Sequence, residues 1–218
     1  DQLLANEIFK ILFTVFCILI VINGCNFIDG VNTSLIGYFL IVSLNLFNLE
    51  LDGVKISQII DFYYLITILI VLFIFNFFNK LYLGDGGSYF LGFLFSLCLI
   101  NTYQINNNIS PYFIICLLWY PAFENLFSIL RKRILSSSPL EPDTKHLHQI
   151  IFSNLKKNFN INNVFLNTIT GMIINMYNLV CITIAAQFYS QTNVQILIII
   201  INIIIYIFFY RLLLAKKT

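Results

Sequence analysis

The sequence predicts an all-α integral membrane protein of about seven transmembrane helices, and three observations predict it. Only 10% of the 218 residues are charged while 59% are hydrophobic, where a soluble domain carries ~25% charged residues. The charges are clustered, which leaves apolar runs near the ~20 residues that cross a bilayer as a helix. The basic residues also fall mainly on one side of those runs. Together these give one transmembrane domain over 1–218. The net charge of +2, with no basic-aromatic patch, offers no sign of nucleic-acid binding.

Seven spans are expected in order, at about 8–23, 35–49, 58–79, 89–104, 111–130, 165–189 and 194–214. The first lacks a basic leader and a small-residue cleavage site, so it reads as a span rather than a signal peptide. The second is short and carries Asn45 and Asn48, so a partial span is expected there. Between the fifth and sixth lies the long polar stretch from Arg131 to Asn163. If loop 24–34 is cytoplasmic, so are loops 80–88 and 131–164 and the C-terminus. That face then holds ten basic residues, Lys80, Arg131, Lys132, Arg133, Lys145, Lys156, Lys157, Arg211, Lys216 and Lys217, and the other holds Lys10 and Lys55. The excess sets the orientation. Cys17, Cys25, Cys98, Cys116 and Cys181 form no CxxC pair and read as small apolar side chains.

Three polar clusters share the basic face. The first runs Asn23-Gly-Cys-Asn26-Phe-Ile-Asp29-Gly30-Val-Asn32. Asn23, Asn26 and Asp29 recur every third residue, so a continuing helix sets them on one stripe, and Gly30 permits a turn after it. Such a stripe suits a sugar, a diphosphate-bound metal, or a solvated helix end. The second is Leu83-Gly84-Asp85-Gly86-Gly87-Ser88. Its glycines allow close approach of an anion to the backbone, and Ser88 is expected to cap the next helix, whose N-terminus favours phosphate. Asp85 is a hard oxygen ligand of the kind Mg²⁺ takes when shared with a diphosphate; a plain turn is the competing reading. The third joins Arg131-Lys132-Arg133 to Pro142-Asp143-Thr144-Lys145-His146-Leu147-His148-Gln149, with the chain's two histidines. Zinc lacks a matching Cys/His set. A positive-inside anchor accounts for the basic triplet alone; with the histidines it reads as a patch for a phosphorylated ligand. Polar residues within the spans (Asn45, Asn175, Asn178, Gln187, Asn202) are uncharged, which favours an interfacial enzyme over a transporter.

These motifs, in this order, resemble the signature loops of the polyprenyl-phosphate N-acetylhexosamine-1-phosphate transferases, the bacterial glycosyltransferase family 4. Pro121-x-x-Glu124 followed by Arg131-Lys-Arg133 is similar to the stretch before that family's histidine loop. The Pro-Asp-x-x-His-Leu-His form looks like the branch that uses UDP-N-acetylhexosamines for surface polysaccharides. The resemblance covers about residues 10 to 155. It implies transfer of a sugar-1-phosphate from a UDP-sugar to undecaprenyl phosphate, with release of UMP, in a bacterial inner membrane with the site facing the cytoplasm. By the same analogy Asp85 is a Mg²⁺ (or Mn²⁺) ligand with Asp29 as a second. Asp85, Asp29, His146 and His148 are then catalytic, and Asn23, Asn26, Asn32, Ser88, Arg131, Arg133 and Lys145 contact substrate. A homodimer is not legible, because lipid-facing and partner-facing surfaces look alike.

Three departures accompany the resemblance. Thr33 stands where the family usually has glycine, and Gln149 replaces a common histidine. The family's adjacent aspartates on an earlier loop have no counterpart, since no Asp-Asp occurs in the chain. The chain begins with Asp1, and an N-terminal truncation that removes that loop is expected. A non-catalytic paralogue that binds nucleotide-sugar or scaffolds an assembly is the second reading, and a lipid or sugar-phosphate transporter the third.

Overall fold

A computed structural model describes residues 6–51, 54–55, 62–106, 108–134 and 145–215. Among the described residues the chain forms nine helices and one short hairpin. In order these are α1 (Glu7–Ile28), α2 (Ser34–Phe47), β1 (Glu50–Leu51), β2 (Val54–Lys55), α3 (Phe62–Phe77), α4 (Gly84–Ile105), α5 (Pro111–Leu117), α6 (Trp119–Ile134), α7 (Leu147–Asn158), α8 (Asn163–Gln187) and α9 (Thr192–Ala215). The strands pair antiparallel.

Four helices, α1, α4, α8 and α9, are long and apolar enough to cross a bilayer, and the bent pair α5–α6 makes a fifth. The protein is therefore a multi-pass membrane protein, with four or five such spans among the described residues where seven were expected. The difference lies in α2 and α3, which are apolar but only 14 and 16 residues long, short of the ~20 a crossing needs. Large side chains such as Ile8, Leu12, Phe16, Ile204 and Phe208 stand outward and exposed on α1 and α9. That arrangement is unfavourable in water and natural in hydrocarbon.

The expected loops are shorter than the sequence suggested. Helix α1 continues through Asn23 and Asn26 to Ile28. Helix α4 already begins at Gly84, so Leu83 rather than Ser88 occupies the N-cap. Helix α6 runs to Ile134 and α7 lies inside the stretch read as a loop. Pro142, Asp143, Lys216 and Lys217 fall outside the described residues.

Local chemistry explains the main boundaries. Asn6 caps α1 by accepting from the Ile8 and Phe9 amides at 3.0 and 3.3 Å. Ser110 caps α5, with Pro111 in the first turn where a missing N–H costs nothing. The 75° bend between α5 and α6 sits just before Pro121, which cannot donate to the carbonyl four residues back. That carbonyl, of Leu117, accepts instead from the buried Tyr38 hydroxyl at 3.0 Å. Helix α1 packs against both α4 and α6. A Cβ on Gly24 would lie 1.9 Å from the Pro121 carbonyl oxygen, so only glycine allows this approach. The crossing carries the end of α1, with Asn26 and Asp29, between the start of α4 and the histidine segment.

Candidate active site

The polar residues collect at one end of the bundle in two adjoining groups. The first surrounds a pocket of about 350 Å³ lined by Asn26, Asp29, Asn32, Asn76, Tyr82 and Asp85 among others. Asp29 follows the last turn of α1 and Asp85 lies in the first turn of α4. Burial, and then the charge of Asp85, push the Asp29 carboxyl up to about 7. No basic side chain lines this pocket among the described residues. Two mutually repelling carboxylates in such a place favour a cation between them.

Amides fix the floor of the pocket. The Asn26 side chain donates to the Tyr89 hydroxyl at 3.0 Å, and the Ser88 hydroxyl reaches its oxygen at 3.2 Å and the Asp85 carbonyl at 3.0 Å. The turn after α1 is tied on several sides. The Asn32 amide N–H donates to Asn167, the Asn32 side chain to Asn79, the Thr33 N–H to Asn76, and Asn175 to the Thr33 carbonyl. The left-handed residue of this turn is Thr33, at φ 68°, and not Gly30. A glycine at Thr33's position would adopt that conformation without strain.

Gly30 has a different task. A Cβ there would lie 2.2 Å from Nε2 of His148, so the bare backbone admits the imidazole beside Asp29. Through this contact the acidic pocket meets the second group. His148 is buried, its Nδ1 has no hydrogen-bond partner among the described residues, and its ring stacks parallel on His146 with centroids 5.7 Å apart. Burial, opposed by the Glu124 charge and reinforced by His146, holds the His148 imidazole down at about 4. It is neutral at physiological pH. His146 lies against Phe27 and has Nδ1 2.9 Å from Oε1 of Glu124. That oxygen also accepts the Leu147 N–H at 3.3 Å, and Oε2 accepts the Tyr206 hydroxyl at 2.6 Å.

The structure thus brings together Asn26, Asp29, Asn32, Asp85, Ser88, His146 and His148. It does not bring in the others. Asn23 donates to the Leu19 carbonyl on its own helix at 2.8 Å. Arg131 turns inward, donating to the Lys145 carbonyl, Tyr210 and Ser128 between the rings of Phe127 and Tyr210. Lys145 contributes that carbonyl while its side chain is exposed, and Arg133 is exposed on the outer side of α6. Sequence reasoning missed the centrality of Glu124 and the whole contribution of Tyr206, Asn76 and Asn79. Glu124 did carry a signal: it is the one acid between Asp85 and Glu141, inside an apolar helix, where an ionisable residue is a functional candidate by default.

A second cavity of about 340 Å³ opens between α6, α7, α8 and α9. It is almost wholly apolar and shares Leu147 and Tyr206 with the Glu124 group.

The fold and site define a multi-pass membrane protein with an acidic, amide-lined pocket joined to a buried histidine–glutamate cluster at one end of its helices. Residues 1–103 match the glycosyl transferase family 4 model. A probable undecaprenyl-phosphate N-acetylglucosaminyl 1-phosphate transferase of Bacillus subtilis (strain 168) is 32% identical over 138 residues, 62% of this chain and 38% of the relative. An undecaprenyl-phosphate alpha-N-acetylglucosaminyl 1-phosphate transferase of Thermotoga maritima is 28% identical over 78 residues, 36% of this chain and 25% of the relative. The chain therefore spans well under half the length of these curated relatives. No solved structure matches it.

Proposed function

We propose that this chain carries part of the site of a phosphotransferase that moves N-acetylglucosamine-1-phosphate from UDP-N-acetylglucosamine to a polyprenyl phosphate and releases UMP. The names of the two relatives support this reading. The observation that carries it is the contact of His148 with Gly30, which joins the Asp29–Asp85 pocket to the histidine cluster. In the reaction an oxygen of the lipid phosphate bonds to the sugar-bearing phosphorus as the bond to UMP breaks. The barrier is chiefly electrostatic, since one anion approaches another.

The residues fit Mg²⁺. Asp85 and Asp29 would hold it, since both line one pocket whose described lining carries no basic side chain. Among the described residues no group of three or more His, Cys, Asp or Glu side chains gathers as a metal cage. Mg²⁺ needs none, because it keeps several waters and shares one or two carboxylates with substrate phosphates. When bound it neutralises diphosphate charge. Asn26 and Asn32 offer hydrogen bonds to the nucleotide-sugar, while His146 and His148 border its phosphates. The apolar cavity beside Tyr206 suits the polyprenyl tail. The excess of basic residues on this face supports a cytoplasmic site at a bacterial inner membrane.

The test is Mg²⁺-dependent UMP release in detergent with undecaprenyl phosphate and UDP-N-acetylglucosamine. It is run on this chain and on a fusion to the N-terminal segment of the Bacillus relative. Turnover that Asp85→Asn abolishes supports the transferase. Binding of UDP-sugar without UMP release from either protein supports a non-catalytic nucleotide-sugar binder.

A further inference from the structure

We infer that Glu124 is the positioning residue of His146: its carboxylate, braced by Tyr206 and the Leu147 backbone, keeps the imidazole proton on Nδ1 and fixes the direction of the ring. The kinetic consequence rests on the transferase reading above; the tautomer does not.

The tautomer follows from the donor inventory around one oxygen. A backbone N–H can only donate, so Oε1 of Glu124 is an acceptor toward Leu147 at 3.3 Å. The same oxygen faces Nδ1 of His146 at 2.9 Å, and an accepting oxygen needs a donor there, so Nδ1 carries the proton. This holds for an ionised Glu124, whose two oxygens can only accept and whose second oxygen takes the Tyr206 hydroxyl at 2.6 Å.

The ring is also fixed in orientation. Phe27 packs against it at a centroid distance of 4.9 Å and His148 lies parallel at 5.7 Å. Glu124 itself is completely buried. Its partners come from the start of α7 and from the middle of α9, so three helices hold one carboxylate. A buried carboxylate is expensive to desolvate unless it is fully hydrogen-bonded. A strut between helices would be met by apolar packing alone. A carboxylate aimed at a histidine nitrogen, with its other lone pairs occupied, is the arrangement that sets tautomer and ring direction in other histidine sites.

The chain has two histidines, which makes the test direct. The full chain is labelled with ¹⁵N at the imidazoles and held in nanodiscs, with His148→Gln assigning the remaining signal to His146. The expected spectrum shows a protonated Nδ1 on His146, and Glu124→Ala moves the ring toward the Nε2–H form that an unconstrained imidazole prefers. A bare Nδ1 in the wild-type protein overturns the proposal, and so does an unchanged Nδ1–H signal in Glu124→Ala. If Glu124→Ala does not fold, the wild-type spectrum still decides. In a preparation that turns over, Glu124→Ala is expected to lower kcat about 10- to 100-fold with KM for UDP-sugar nearly unchanged. An effect confined to KM contradicts the positioning role. Absence of turnover in every preparation counts against the transferase reading and leaves the tautomer result standing.

Discussion

Asp29 and Glu124 are carboxylates at the same end of the same bundle, and they are held in opposite ways. Glu124 is completely buried and takes hydrogen bonds from a tyrosine, a backbone amide and an imidazole. Asp29 is half-buried beside a second acid in a pocket whose described lining holds no cation, and its carboxyl is pushed up to about 7. The first group is satisfied by the protein. The second is, on the proposed function, where a bound cation would sit. A fully partnered acid rigidifies the parts around it, whereas an under-partnered one is poised for a ligand. Composition cannot distinguish the two; only their neighbours can.

The comparison breaks most easily at Asp85. Asp85→Asn should cut UMP release by about 10³-fold or more. The melting temperature should hold, because the Asp85 side chain is exposed and the substitution leaves intact the backbone carbonyl that accepts from Ser88. A variant that melts early while keeping its rate would reverse the roles assigned to the two groups.

Gly30→Ala tests the seam between them. The added Cβ would lie 2.2 Å from Nε2 of His148 and 2.9 Å from Cε1, so the ring or the turn must shift. The expected result is a rate loss of about 10-fold or more, since small misplacements of working groups are costly. Cation binding at Asp85, read by Mn²⁺ paramagnetic resonance, should survive. An unchanged rate would mean that the histidine ring is not used.

Acidification sharpens the contrast through His148. Its folded imidazole sits at about 4 rather than its ordinary 6.5, so the folded state binds the proton less tightly than the unfolded chain does. The associated stability is fully present above about pH 6.5 and is lost as pH falls through 6.5 toward 4. The full loss is of the order of a few kcal/mol. Asp29, raised to about 7, contributes the opposite slope, so the measure is a difference: between pH 7.5 and 5, melting in detergent should lose more stability, or gain less, in the wild type than in His148→Gln.

The smallest effect belongs to Thr33. Replacing it with glycine relieves a left-handed φ of 68°, worth about 1 kcal/mol, and removes the hydroxyl's bond to the Asn32 carbonyl. A net gain of roughly 0.5 kcal/mol is expected by thermal melting. A loss would show that the hydroxyl matters more than the backbone strain.

Much of the acidic pocket was legible in sequence because its chemistry is local. Asn26 and Asp29 share a helix stripe, and Asp85 announces itself by the glycines around it. The histidine cluster was half legible. The histidines stood out by rarity, but the partner of Glu124 lies 82 positions away at Tyr206, and no local pattern records that pairing. Helix α7 was hidden for another reason. Leu147, Ile150, Ile151 and Asn154 follow a helical period, yet the segment is too short and polar to register among apolar runs. Arg131 was read as a ligand contact because it stands in a basic triplet. Its burial between Phe127 and Tyr210 depends on α9, which the triplet does not reveal. The seven expected spans are matched at five places, and at α2 and α3 the described helices are apolar but shorter than a crossing needs.

The central claim is that the acidic pocket and the histidine cluster serve one ligand. Adding Mn²⁺ with UDP-N-acetylglucosamine to the histidine-labelled chain in nanodiscs tests it most directly. The account predicts that the His148 ring signals broaden, and that Asp85→Asn restores them. If paramagnetic resonance shows Mn²⁺ bound while both histidine signals stay sharp, the two groups are separate sites and the account is wrong.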